Sequence, residues 1–207
     1  PAGTASQTAT VVVNGDLLNE FNETFFVNLS GAVNATIADS QGLGTINNDD
    51  AVPSLTINDV TATEGDVGPR SFTFNVALSA PSGKTVSVSF ATADGTATAG
   101  GTAATGGRDY DATAGGLAFP AGTTLQTITV VVNGDPLPDT TETFLVNLSS
   151  PSVNVTLQDS QARGTIFPAV PIPDLTFAPA QATEGNAGNK NFVFTATLSA
   201  PAPQQIL

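Results

Sequence analysis

The stretch TVVVNGDPLPDTTETFLVNLS, Thr129 to Ser149, decides the fold, because the chain contains it twice. Its other copy is TVVVNGDLLNEFNETFFVNLS, Thr10 to Ser30, with 15 of 21 positions identical at an offset of 119. Each copy is two short runs of β-branched and aromatic residues separated by an acidic turn, the pattern of strand, turn and strand. Working outward, one inserted residue changes the offset to 120. Asp39-Ser40-Gln41 then returns as Asp159-Ser160-Gln161, and Gly44-Thr45-Ile46 as Gly164-Thr165-Ile166. Thr63-Glu64-Gly65 returns as Thr183-Glu184-Gly185, and Leu78-Ser79-Ala80-Pro81 as Leu198-Ser199-Ala200-Pro201. The period is that of one small domain.

In this register residues 1–50 match the C-terminal half of a module, residues 53–168 make one complete module, and residues 173–207 match the N-terminal part of another. Pro53 and the cluster Pro168, Pro171 and Pro173 fall at the joints, where short Pro-rich linkers hold neighbours semi-rigidly in line. Pro1 is not an initiator Met, and the chain reads as an excerpt of a longer array.

Within the complete module, apolar and polar residues alternate in Leu55–Ile57, Phe72–Leu78, Val86–Phe90, Leu125–Val132, Phe144–Leu148, Val153–Leu157 and Gly164–Phe167. Gly, Pro, Asn and Asp separate the runs, and no stretch has a helical period. About seven short strands in one small domain predict an all-β fold of tandem immunoglobulin-like antiparallel β-sandwiches. The Gly-rich segment from Thr96 to Gly107 reads as a mobile loop.

Composition narrows the chemistry. The 207 residues include 18 acids and 5 bases, for a net charge of -13, and no His, Cys, Met or Trp. Without His or Cys there is no imidazole base, no thiolate or imidazole zinc site and no disulfide. The negative charge disfavours nucleic acid and anionic membrane surfaces, which require basic patches, and favours cations. No apolar run approaches the roughly 20 residues needed to span a bilayer. An acid–base pair such as Asp139 and Glu142 could act on a glycoside, but the single Tyr and absent Trp leave no aromatic platform for a sugar, and no catalysis is expected.

The acids gather at turns. The complete module carries Glu64, then Asp109 and Asp111 around Tyr110, then Asp135, Asp139 and Glu142; the first half-module carries Asp16, Glu20 and Glu23 and closes on Asn47-Asn48-Asp49-Asp50. Asp and Asn favour turns for their own hydrogen-bonding reasons. Two carboxylates about 5 Å apart at an effective dielectric near 20 nevertheless repel by roughly 3 kcal/mol, so a recurring cluster favours a bound cation. Oxygen donors alone select Ca²⁺ over softer metals, and over Mg²⁺ where the site is irregular.

The series Ile57-Asn58-Asp59, Thr63-Glu64-Gly65, Phe90 to Ala97 (FATADGTA), Arg108-Asp109-Tyr110, Phe119 to Gly122 (FPAG), Asp135 through Phe144 and a closing Gly-Thr-Ile resembles the Calx-beta domain. That module occurs in sodium/calcium exchangers, integrin β4 and long bacterial surface proteins. The resemblance implies calcium ligands at Glu64, Asp109, Asp135, Asp139 and Glu142, with the carbonyl near Leu137, and for the closing run at Asn48, Asp49 and Asp50. By the repeat, Asp16, Glu20, Glu23 and Glu184 take the corresponding places in the flanking modules. Two departures matter: Gly134 stands where the pattern has an acid, and Phe167-Pro168-Ala169-Val170 stands where it has closing aspartates. Calcium in the complete module is therefore expected to be weak or partial.

These readings together predict a structural or adhesive repeat of a large extracellular bacterial surface protein or fibre, at the cell surface. Its partners are neighbouring modules of the same chain or identical chains. The alternatives are a regulatory calcium sensor of a membrane protein and a head-to-tail filament joined by strand complementation.

Overall fold

The computed structural model describes residues 3–65, 68–100, 108–134, 140–169 and 172–200. Among the described residues the regular elements are strands, with no helix. Nine of them build the complete module: β3 (Ser54–Ile57), β4 (Val60–Thr63), β5 (Gly68–Leu78), β6 (Val86–Asp94), β7 (Ala114–Phe119), β8 (Leu125–Gly134), β9 (Glu142–Ser149), β10 (Thr156–Leu157) and β11 (Gln161–Phe167). They form a four-stranded sheet in the order β10-β3-β5-β8 and a five-stranded sheet in the order β4-β11-β9-β6-β7. Two strands, β1 (Glu23–Asn28) and β2 (Gln41–Ile46), precede the module, and β12 (Leu175–Phe177) and β13 (Ala196–Leu198) follow it, each pair a two-stranded sheet.

The module is not purely antiparallel as expected. Its first strand is split at Asn58-Asp59, and the two halves lie in different sheets. β3 pairs with β5 antiparallel and with β10 parallel, whereas β4 crosses over and pairs parallel with β11. Side chains hold the crossing point: Asn58 Oδ1 accepts from Asn75 N at 2.6 Å, and Asp59 Oδ1 accepts from Arg163 N at 2.7 Å. Neither residue suits a strand interior, and both suit a break where side chains replace ladder bonds. The expected strand Val153–Leu157 is also shorter, because Val155 N donates to Ser152 O and curls the chain before β10. Residues 101–107 of the expected mobile loop lie outside the described residues; Ala97, just before them, is fully buried.

The core follows from the period of two. Phe72, Phe74, Val76 and Leu78 of β5, Ile128, Val130 and Val132 of β8, Val86 and Val88 of β6, and Phe144, Val146 and Leu148 of β9 point between the sheets and are buried. Phe144 is the hub: its ring stacks on Tyr110 at 4.6 Å between centroids and meets Phe74 edge-on at 5.9 Å. Opposite it in the β9–β11 ladder stands Gly164, where a Cβ would lie 2.3 Å from the ring. The Gly of the closing Gly-Thr-Ile is thus the residue that leaves room for the largest side chain on the facing strand.

The terminal hairpins keep the register of the strands they repeat. Phe25 pairs with Gly44 and Glu23 with Ile46, as Phe144 pairs with Gly164 and Glu142 with Ile166. Leu175 pairs with Leu198, as Leu55 pairs with Leu78.

Candidate metal centre

The first half-module brings its acids together. Asp16, Glu20, Glu23, Asp49 and Asp50 line one cleft of about 300 Å³, with Asn14, Asn47 and Asn48 beside them. The amides do the stitching. Asn48 Oδ1 accepts from Glu20 N at 2.6 Å, Asn48 Nδ2 donates to Asp50 O at 3.0 Å, and Asn22 joins Asn47 and Asn48. Asn19 Nδ2 adds a further bond to Asp50 O at 2.8 Å. Asp16 folds its own turn, its Oδ1 accepting from Leu18 N. The acidic turn and the closing run are therefore joined through neutral groups, and the carboxylates of Glu20, Glu23, Asp49 and Asp50 are left lining the cleft.

In the complete module the described acids are used differently. Asp109 is 8 % exposed, and its Oδ2 accepts from Thr98 N at 2.6 Å. Its backbone also pairs with Thr98 and Asn133, which sets Tyr110 beside β8. Glu64 is buried at the end of β4. Its N–H donates to Phe167 O, and its Oε1 accepts from Ala169 N, so backbone closes on Glu64 where the family pattern has aspartates. Glu142 opens β9 and is half-buried. Asp135, Leu137 and Asp139 lie outside the described residues. Glu184, between β12 and β13, is exposed.

Gly134 has a structural reason. A Cβ there would lie 2.1 Å from Gly65 O, with the Gly65 backbone nitrogen and carbon also within 3 Å. Backbone cannot retreat as a flexible side chain can, so an acid at this position would displace the Glu64-Gly65 turn. In the first half-module Gly15 takes this position and meets nothing within 4 Å.

Sequence reasoning did not single out Asp94. Its Oδ1 accepts from the Tyr110 hydroxyl at 2.6 Å and from Ala99 N at 2.9 Å, and these bonds, the phenol's first, hold its carboxyl below the usual aspartate range. Burial, reinforced by the bond to Asp94, pushes the Tyr110 phenol well above its ordinary value. The available signal was the chain's one Tyr, flanked by two acids. Asp111 is likewise engaged, in an ion pair with Arg108 at 2.7 Å and a bond from Asn133.

Among the described residues no three carboxylates converge to hold a metal ion. The donors that line the first cleft are all oxygen, fit Ca²⁺ in kind, and would have to draw together around it. In the complete module Glu64 and Asp109 already accept hydrogen bonds from backbone.

No curated protein matches the chain. Among solved structures it is similar to the apo-form Calx CBD1 domain at 26% identity, covering 56% of this chain and 97% of that one, with a TM-score of 0.48. It is also similar to the calcium binding domain CBD12 of CALX1.1, at 26% identity over 55% of this chain and 44% of that one, with a TM-score of 0.47. The Calx CBD2 domain aligns at 14% identity over 56% of this chain and 86% of that one, with a TM-score of 0.46. The family model of the Calx-beta domain matches residues 48–170, which span the nine-stranded sandwich, and the chain belongs to the Calx-beta family.

Proposed function

We propose that this chain is a calcium-binding structural repeat of a large extracellular bacterial surface protein, in which tandem sandwiches without catalytic activity carry an adhesive or fibrous load. The observation that carries the calcium part is the cleft of the first half-module, where five carboxylates line about 300 Å³ beside the joint to the next module. Asp16, Glu20, Glu23, Asp49 and Asp50 would hold the ion, which would supply the charge neutralisation that lets these acids approach. The complete module is the weaker site, since Glu64 and Asp109 accept from backbone and Phe167-Pro168-Ala169-Val170 stands where the family pattern has closing aspartates. The repeat and the charge of -13 support the stalk and its place outside the cell. A regulatory calcium sensor of a membrane protein is the alternative, supported by the likeness to Calx CBD domains.

Calorimetric titration with Ca²⁺ tests the assignment. Binding is expected to disappear in Asp49→Asn/Asp50→Asn and to survive in Glu64→Gln. A ligand at 100 times its Kd stabilises the fold it binds by about 2.7 kcal/mol, so the melting temperature rises with calcium in parallel. No heat and no melting shift at millimolar Ca²⁺ would remove calcium from the reading and leave the stalk.

A second reading, a filament joined by strand complementation, is favoured by the terminal hairpins. They keep the module's pairing registers while Phe192 and Phe194 stay exposed. In this reading the strands of a second copy cover those faces. Light scattering that finds only monomers at high concentration would exclude it.

A further inference from the structure

The first half-module touches the complete module at a point that the calcium reading does not use. Asn19, in the acidic turn, is 4 % exposed and lies beside Ser82 of the β5–β6 turn in a parallel bridge. Its backbone oxygen accepts from Gly83 N at 3.2 Å and from Ser82 Oγ at 3.3 Å. Its side-chain Oδ1 accepts from Lys84 Nζ at 3.1 Å, while its Nδ2 holds Asp50 O. The same ammonium sits 4.6 Å from the centre of the Phe21 ring. Gly83 completes the fit: a Cβ there would lie 2.5 Å from Glu20 Cγ. One buried amide thus ties together the acidic turn, the closing run and the neighbouring module.

Two features make this contact more than a chance touch of surfaces. Lys84 is one of 5 bases among 18 acids, yet its described partners are a neutral amide and an aromatic face, which depend less on salt than an ion pair does. The sequence also builds it once. At the second joint the residues in register with Asn19 and Phe21 are Pro138 and Thr140, and those in register with Gly83 and Lys84 are Pro203 and Gln204. Proline has no side-chain amide to accept from a lysine, and no lysine stands opposite.

We infer that Asn19 and Phe21, closing on Ser82, Gly83 and Lys84, form a metal-independent latch that fixes the angle of the first joint, built from residues that the sequence does not repeat in register further along. The first joint is then held whether or not calcium is bound.

The chain has no Cys, so spin labels at Thr45→Cys and Thr127→Cys, both at exposed positions, report the distance across the first joint without interference. In EDTA the otherwise unaltered chain is expected to give one narrow distance. Lys84→Met, which keeps an apolar contact with Phe21 but removes the donor, and Asn19→Ala should each broaden it about twofold, as for a joint released into domain-scale motion. The melting of the complete module should not change. Lys84→Met is the deciding variant, because it leaves every residue of the half-module in place. A broad distribution in EDTA that narrows only with Ca²⁺ would overturn the latch and leave the calcium reading standing. An unchanged width in Lys84→Met would overturn it as well.

Discussion

Glu23–Ile46 and Glu142–Ile166 are copies of one hairpin, paired in one register, and they differ chiefly in what covers them. Phe144 is fully buried among Phe72, Phe74 and Tyr110, whereas Phe25, its counterpart, is only half-buried. Val130 is 0 % exposed, while Val11, its counterpart, is 50 % exposed. The C-terminal hairpin repeats the contrast, with Phe194 at 61 % against Phe74 at 0 %. Local pattern and pairing therefore do not need the second sheet, but burial does. Each buried aromatic or branched side chain is worth roughly 1.5–3 kcal/mol, so most of the stability resides in the complete module.

The contrast can be broken most sharply at the phenylalanines. Phe144→Ala should destabilise the complete module by about 3–5 kcal/mol in denaturant unfolding, because it empties the middle of the aromatic cluster. Phe25→Ala should cost less, about 1–2 kcal/mol, since its ring is only partly buried. Equal costs would mean that the half-module is covered in solution, by a second copy or otherwise.

A smaller effect is expected at the facing glycines. Gly164→Ala drives a methyl into the Phe144 ring and should cost about 1–3 kcal/mol. Gly44→Ala makes the same clash with Phe25, but that ring can swing towards solvent, so unfolding of the chain should barely change.

The smallest effect belongs to the pair Tyr110 and Asp94, which has no counterpart in the first half-module. The folded pKa of Asp94 lies below its ordinary 3.8, so its stabilisation is present above that value and is lost as pH falls through the folded pKa. The folded pKa of Tyr110 lies above its ordinary 10.0, so its stabilisation is intact below pH 10 and is lost as pH rises beyond it. Stability should therefore fall at both extremes of pH. Asp94→Asn should flatten the acid limb and Tyr110→Phe the alkaline one, as read by melting temperature against pH. A limb that persists in its variant would assign the titration to another group.

Much of this was legible in the residues. The strand runs, their inward faces and the hairpin registers follow from period-two alternation and from a repeat long enough to align itself. The acidic turn and closing run of the first half-module were legible as two clusters of acids; that both line one cleft is a matter of the fold. The crossing at Asn58-Asp59 was not, because alternation continues across the break and only the partners differ, Asn75 on one sheet and Arg163 on the other. Nor was the use of Asp109 legible: a carboxylate that holds Thr98 N looks, in a sequence, the same as one held out to a cation.

By itself, the sequence determined the family, the all-β class and the period, because residue types and spacing carry those directly. The tertiary structure decided which acids remain available and which are occupied by backbone, why no side chain fits at Gly134, and how Asn19 reaches Lys84 across 65 residues. Those are matters of distance between segments remote in the chain, and alternation along a strand specifies which way a side chain points without specifying what it meets.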